Sequence, residues 1–280
     1  MSTAAELQEA IEAGTVSDRL WLYTNYHCNL RCVYCLTESA PGVERRVFDA
    51  DQMVRAADEG KELGYRSLGV TGGEPFLMPY MPEVLAQLAE RLPLVVMSNA
   101  TLFTDKVLKR MAPLADLPVM VQISLDSAEP DVNDEFRAPH NFEKVVTAIP
   151  RLVEMGITVR VATTGDHNTP AQLDRLCELH LSLGVPEENH IVRGIVHRGR
   201  AKDTGMGAVA DHRQIHPELT LTADGAFWSP FAPTVNGGRL DTDLLVTRQR
   251  FPVAEPTRSM LALAGANPDG TDPSLNLRCG

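Results

Sequence analysis

The strongest constraint on the fold is a regular alternation of short apolar runs with amphipathic stretches over the first two thirds of the chain. Strands that alternate strictly with helices form parallel sheets with right-handed crossovers. The alternation stops near residue 197, short of the ~250 residues that a complete eight-fold barrel uses. The sequence therefore predicts an α/β fold, a partial (β/α)6 TIM-like barrel. The predicted strands are Arg19–Tyr26, Ser67–Thr71, Leu94–Ser98, Pro118–Ser124, Ile157–Ala162 and Asn189–Val196.

Capping signals mark where the intervening helices begin. Asp49 and Gln52 have the spacing of a capping box, and so do Thr169 and Gln172. Pro150 lies inside a further amphipathic stretch and predicts a kink or a tighter turn there.

The chain divides into three parts by pattern. Residues 1–17 form an N-terminal helical segment, residues 18–198 carry the barrel pattern, and residues 199–280 form a C-terminal extension. An Asp-Gly turn in the extension predicts a β-hairpin with strands at Leu219–Thr222 and Ala226–Ser229. We expect the rest of the extension to be irregular and to act as a substrate lid.

Charge and composition exclude several classes of protein. The chain has 26 basic and 37 acidic residues and a net charge of −11, which argues against a non-specific nucleic-acid binder. It has no apolar run long enough to cross a membrane and no apolar segment typical of a secretory signal near its start. The cysteine count of five is odd, so we expect a reducing, cytoplasmic setting rather than a disulfide framework.

Three of the cysteines are clustered directly after the first predicted strand. Cys28, Cys32 and Cys35 form a C-x3-C-x2-C pattern, and three thiolates can hold three corners of an iron–sulfur cube. One iron then stays open, as a coordination position does in catalytic zinc sites. Structural zinc takes four Cys or His ligands, and His27 beside Cys28 leaves a Cys3His zinc site conceivable. The spacing alone leaves both alternatives open.

A second motif, Gly72-Gly73-Glu74-Pro75, closes the second predicted strand. Glycines allow a backbone to approach a ligand closely, and a glutamate accepts hydrogen bonds from an ammonium group. Alone the motif is weak, because plain turns contain the same residues. One strand–helix unit after the cysteine cluster, it forms a specific combination.

Together these motifs resemble those of the radical S-adenosylmethionine (radical SAM) superfamily. Supporting matches are Tyr34, Ser98-Asn99-Ala100 and Ile123-Ser124-Leu125-Asp126, and the resemblance covers roughly residues 18–200. It implies that the three cysteines hold a [4Fe–4S] cluster and that SAM chelates the unique iron. It also implies that a 5′-deoxyadenosyl radical abstracts a hydrogen atom from the substrate.

The resemblance further implies which residues contact SAM, at the carboxyl ends of the strands, where β/α barrels carry their active sites. Two of them also have a purely structural interpretation: Asp126 can cap a turn, and Arg137 can pair with Asp134 or Glu135 at the surface. The implied set is Tyr34, Gly72, Gly73, Glu74, Ser98, Asn99, Ser124, Asp126, Arg137, Thr163 and Val196.

Two further features are candidates for substrate chemistry. Arg193, His197 and Arg198 cluster at the end of the sixth predicted strand, where they form either a charge-paired loop or a clamp for a substrate carboxylate or phosphate. Cys279 is the penultimate residue. It is either an inert tail residue or, if the tail folds over the barrel mouth, a catalytic donor of a hydrogen atom to a product radical.

The leading hypothesis is thus a radical SAM enzyme that acts on a small metabolite or a peptide and receives electrons from a flavodoxin or ferredoxin. A small metabolite is favoured, since no peptide-docking domain is recognisable ahead of Arg19. The extension has a single cysteine, Cys279, so one cluster is expected. The alternatives are a non-catalytic iron–sulfur or zinc-binding sensor or carrier and, within the same class, a peptide-modifying epimerase with Cys279 as hydrogen donor.

Overall fold

The computed structural model describes residues 2–166, 168–209 and 215–265 of the chain. Six strands run parallel, side by side and in sequence order, in the main part of one sheet. No described strand joins the sixth strand to the opposite edge of the sheet, so the predicted partial barrel is confirmed. The strands are β1 (Arg19–Tyr23), β2 (Ser67–Thr71), β3 (Leu94–Ser98), β4 (Val119–Ser124), β5 (Thr158–Thr164) and β6 (His190–Arg193).

Helices connect these strands and cover the outer face of the sheet with their buried apolar sides. The helix at residues 130–136 was not predicted from the sequence. Helix α6 continues through Pro150 without interruption. The helices of the barrel and its N-terminal segment are α1 (Ala4–Glu12), α2 (Ala50–Leu63), α3 (Met81–Ala89), α4 (Asp105–Met111), α5 (Pro130–Phe136), α6 (Asn141–Glu154) and α7 (Pro170–Ser182).

One of the two predicted capping boxes forms. The Thr169 side chain accepts from the Gln172 backbone N–H, and Gln172 Oε1 accepts from the Thr169 N–H at 2.8 Å. At the start of α2, Asp49 makes no side-chain cap hydrogen bond. Gln52 Oε1 instead accepts from Arg250 Nη1 at 2.8 Å, so the capping box predicted there is wrong.

The inside of the barrel is filled at β1 by an indole ring. Trp21 is fully buried, and it shares the inner face of β1 with Tyr23, because side chains alternate along a strand. Trp21 pairs in register with Gly69 of β2. A Cβ atom at Gly69 would lie 2.2 Å from the Trp21 ring, so glycine is required where the indole crosses its neighbour.

The C-terminal part continues the same sheet. Strand β7 (Thr220–Leu221) pairs parallel with β1, and β8 (Ala226–Phe227) pairs antiparallel with β7, which confirms the predicted hairpin. The expectation that the remainder is irregular is wrong, because short strands and a long helix pack there against the barrel. These later elements are α8 (Arg200–Asp203), β9 (Val235–Asn236), β10 (Arg239–Leu240), β11 (Leu245–Thr247) and α9 (Ala254–Gly265).

Candidate functional site

A cavity of about 270 Å³ opens at the carboxyl ends of the barrel strands. All three clustered cysteines line it, and so does every predicted SAM-contacting residue except Glu74. The predicted residues that line it are Cys28, Cys32, Cys35, Tyr34, Gly72, Gly73, Ser98, Asn99, Ser124, Asp126, Arg137, Thr163, Val196 and, from the substrate candidates, Arg193.

The cysteine side chains are free thiols that share this cavity. Cys28 is buried and Cys32 and Cys35 are half-buried. Burial raises the pKa of the Cys28 thiol to about 12, with a further contribution from the charge of Glu74. Burial therefore disfavours the thiolate at this position, and a bound metal would stabilise it.

The donor set is made of soft sulfur ligands. Cys28, Cys32 and Cys35 all line the cavity, and cysteine thiolates are the donors that hold an iron–sulfur cluster. Among the residues that the structure describes, no group of three or more His, Cys, Asp or Glu side chains is arranged to hold a metal ion.

The two glycines after β2 let that strand end pack against the segment before residues 28–39, which we call the cysteine loop. Gly72 has φ +151°, and a Cβ there would lie 2.7 Å from Thr24 Oγ1. A Cβ on Gly73 would lie 2.0 Å from the His27 carbonyl oxygen. The close approach that we predicted toward a ligand is therefore, at these positions, an approach to backbone, although both glycines also line the cavity.

Glu74 points away from the cavity and joins the ends of β2 and β3. Its side chain is fully buried, and Oε1 accepts from Phe76 N at 3.0 Å and from Ser98 Oγ at 2.9 Å. Oε2 accepts from Asn99 N at 2.8 Å. Burial raises the pKa of Glu74 to about 7 against these hydrogen bonds. Glu74 thus binds Ser98 and Asn99, which line the cavity, and its contact with the amino group of SAM stays a prediction.

A buried ion pair, Asp126 with Arg137, also lines the cavity. Arg137 Nη1 is 3.2 Å from Asp126 Oδ2 and donates to the Tyr34 hydroxyl at 2.5 Å, and that hydroxyl donates to the same carboxylate. Asp126 Oδ1 accepts from the Thr164 backbone N–H and hydroxyl. The surface pairing of Arg137 predicted as the structural alternative does not occur. The Arg137 Nε is buried and has no hydrogen-bond partner.

Gln122 is a cavity residue that the sequence reasoning missed. It lies two residues before Ser124 on β4, and side chains two apart on a strand face the same side, so the period of two could have revealed it. Gln122 Oε1 accepts from Arg160 Nε at 3.1 Å and from Arg193 Nη2 at 3.3 Å. Arg193 is therefore held at the cavity by its neighbour on β4.

The other two residues of the predicted substrate clamp lie elsewhere. The Arg198 guanidinium donates to both carboxylate oxygens of Asp243 at 2.7 Å, and to Thr234 Oγ1 at 2.8 Å. His197 Nδ1 is 2.8 Å from the Met206 carbonyl oxygen. Neither lines the cavity, so the structure brings Arg193 of these three residues to it, and the substrate contacts of His197 and Arg198 stay a prediction. Cys279 lies outside the described residues.

The C-terminal part supplies one wall of the cavity. Pro230 and Phe231 lie there beside Ile195 and Val196. Thr163 Oγ1 donates to the Leu125 carbonyl oxygen at 2.7 Å. Polar groups on β4 and β5 thus face an apolar wall, an arrangement that orients an organic ligand.

Within the described residues, no helix has the length and apolar character to cross a membrane.

Comparison with known proteins identifies one family. The family described as Radical SAM superfamily matches residues 22–180. A curated relative from Archaeoglobus fulgidus, a probable GTP 3′,8-cyclase, is 33% identical over 150 residues, which is 52% of this chain and 48% of the relative. The chain spans about half or less of the length of the first curated relatives that it matches.

Solved structures share the fold. Native anSMEcpe with bound AdoMet superposes with a TM-score of 0.62 at 13% identity, covering 92% of this chain and 84% of the other. Streptococcus suis SuiB bound to the precursor peptide SuiA superposes with a TM-score of 0.58 at 16% identity, covering 69% of this chain and 43% of the other.

Proposed function

The chain belongs to the radical SAM superfamily, and on that premise we propose that it is an enzyme that abstracts a hydrogen atom from an organic substrate with the help of SAM and a [4Fe–4S] cluster. The observation that carries this proposal is the convergence of the three cysteines, the β2 glycines and the buried Asp126–Arg137 pair on one cavity.

The proposal gives each wall of the cavity a task. Cys28, which is buried, and Cys32 and Cys35, which are half-buried, would hold the cluster. The chemistry that the bound cofactors supply is one-electron reductive cleavage of SAM, followed by hydrogen-atom abstraction. Arg137 would receive the carboxylate of SAM, because a guanidinium suits that group and Arg137 lines the cavity.

Asp126 and Tyr34 keep that guanidinium in place. The carboxylate and the hydroxyl both bind Arg137 Nη1. Ser98 and Asn99, fixed by Glu74, would contact the ribose or the amino acid part of SAM. These residues orient the cofactor and so reduce the entropy lost in reaching the reactive geometry.

The substrate would enter beside the wall formed by Phe231 and Arg193. Relatives and structural neighbours include proteins named for a nucleotide and for a precursor peptide, and both classes belong in a substrate screen. We also propose an electron donor of the flavodoxin or ferredoxin class and a reducing, cytoplasmic setting, since the described cysteines are all free thiols.

Anaerobic reconstitution with iron and sulfide tests the proposal. The holoprotein, given dithionite and SAM, is expected to release 5′-deoxyadenosine, and deuterated candidate substrates are expected to transfer deuterium to it. Replacing Cys28, Cys32 or Cys35 by Ala should abolish both iron binding and SAM cleavage. Cys177→Ala is the matched control, because this half-buried cysteine lies on α7 and does not line the cavity. A colourless protein that binds zinc and does not cleave SAM would overturn the proposal.

A further inference from the structure

The cysteine loop is held from outside by residues that follow β6. The Arg200 guanidinium is buried, and its Nε donates to the Cys32 carbonyl at 2.8 Å while Nη2 donates to the Ser39 carbonyl at 2.5 Å. The Arg200 backbone N–H donates to the Cys35 carbonyl at 3.1 Å. One residue thus binds three carbonyls spread over the loop.

The neighbouring Gly199 also contacts the backbone of the cysteine loop. Gly199 has φ +56°, and a Cβ atom there would lie 2.3 Å from the Leu36 carbonyl oxygen and 2.6 Å from that of Cys35. The loop backbone therefore lies directly on residues 199 and 200. The C-terminal part adds one more contact, because the Thr234 hydroxyl donates to the Leu36 carbonyl at 2.9 Å.

Among the described residues, the Arg200 guanidinium forms no direct ion pair with a carboxylate, although its charge acts on the carboxylate of Glu38 in the same loop. By contrast, Arg137 pairs directly with Asp126, and Arg198 pairs with Asp243 and Asp241. A buried charge is costly unless an opposite charge balances it. The charge of Arg200 also acts on the Cys32 thiol, so thiolate sulfurs of the loop are further negative groups that balance it.

We propose that Arg200 is a positioning residue for the cluster: it fixes the loop that carries Cys32 and Cys35, and its positive charge raises the reduction potential of the cluster bound there. The inference rests on the proposed function, because it presupposes a cluster. Reduction adds negative charge, which a nearby cation stabilises, and the potential of an iron–sulfur cluster depends on surrounding charge and solvent exposure.

Redox titration of the reconstituted holoenzyme, followed by electron paramagnetic resonance of the reduced cluster, tests this inference. Arg200→Gln should make the potential more negative, with about tenfold less reduced cluster at a fixed solution potential, equivalent to about 59 mV for a one-electron couple. Arg200→Lys keeps the positive charge, so its amount of reduced cluster at the same solution potential should stay within a few-fold of wild type. This variant should still lose iron faster to a chelator, because lysine lacks the fork that binds two carbonyls.

Arg110→Gln is the matched control, since this arginine is partly exposed on α4, pairs with Glu83 on α3 and does not line the cavity. It should leave the potential unchanged. If Arg200→Gln does not fold, Arg200→Met provides the neutral variant with a stem of similar length. A wild-type potential in the neutral variants, or equal shifts in the neutral and Lys variants, would overturn the inference. Failure of the wild-type protein to hold a cluster would instead overturn the proposed function.

Discussion

Replacing Glu74 by Gln tests whether a buried carboxylate links the ends of β2 and β3. Burial raises the pKa of Glu74 from its ordinary value of 4.5 to about 7. The folded protein therefore binds the proton more tightly than the unfolded chain. The contribution of Glu74 to the free energy of unfolding is full below pH 4.5 and is lost as the pH rises through about 7. A tenfold change in an acid constant corresponds to about 1.4 kcal/mol, so the loss is about 3 kcal/mol.

The Gln variant has no proton to lose. At pH 5 its amide oxygen can still accept from Phe76 N and Ser98 Oγ, but its NH₂ group faces the backbone N–H of Asn99. A buried donor without a partner costs about 1–3 kcal/mol. We expect Glu74→Gln to lower the free energy of unfolding by about 2 kcal/mol at pH 5. At pH 8 the deficit should shrink by about 3 kcal/mol, which makes the variant at least as stable as wild type.

Urea unfolding of the reduced, cluster-free protein at pH 5 and pH 8, followed by circular dichroism, measures both differences. Other titrating groups are common to the two proteins and cancel in the comparison. Glu83→Gln is the control: hydrogen bonds from Arg110 lower the pKa of this exposed carboxyl, so any pH-dependent change should be small and of opposite sign. A Glu74 difference that is constant between the two pH values, or larger at pH 8, refutes the reasoning.

Two further substitutions probe the backbone and the ion pair of the site. Gly73→Ala should lower the free energy of unfolding by about 3 kcal/mol, because its Cβ would lie 2.0 Å from the His27 carbonyl oxygen. Gly42→Ala is the control, because Gly42 has open space around it. It should change the free energy of unfolding by less than about 0.5 kcal/mol in the same urea titration. Asp126→Asn should lower it by roughly 3–5 kcal/mol, since Arg137 then stays buried without its counter-charge, and equilibrium dialysis of the holoenzyme should show weaker SAM binding. A neutral effect of Asp126→Asn on both measurements would contradict the role given to the pair.

The barrel strands were predictable because their signals are local. Apolar runs bounded by turn residues mark the strands, and the Thr169–Gln172 capping box needs only neighbours in sequence. The capping box at Asp49 failed because Gln52 binds Arg250, a residue from the far end of the chain. Helix α5 was missed because it is short, begins at Pro130 and buries the polar Asn133, which leaves no apolar periodicity to detect.

In the candidate site, too, features with local sequence signals were predictable and features that depend on distant contacts were not. Residue types and spacing identified the cysteines and about half of the residues that line the cavity, because parallel strands bring their carboxyl ends together. Side-chain direction could not be obtained in that way: Glu74 turns into the protein, and Arg198 turns toward Asp243. The role of Arg200 depends on a contact with Cys32 across most of the chain, and no local pattern records it.

Strand β7, which pairs with β1, comes late in the chain, so β1 gains this neighbour late in synthesis. Residues 19–23 acquire their second neighbour only from residues 220–221, and the cysteine loop receives its support from residues 199, 200 and 234. A chain emerging from the ribosome thus exposes its three thiols long before the groups that hold them exist. Contacts of such long separation also form slowly. The support of the cysteine loop is therefore complete only after residue 234 has been synthesised.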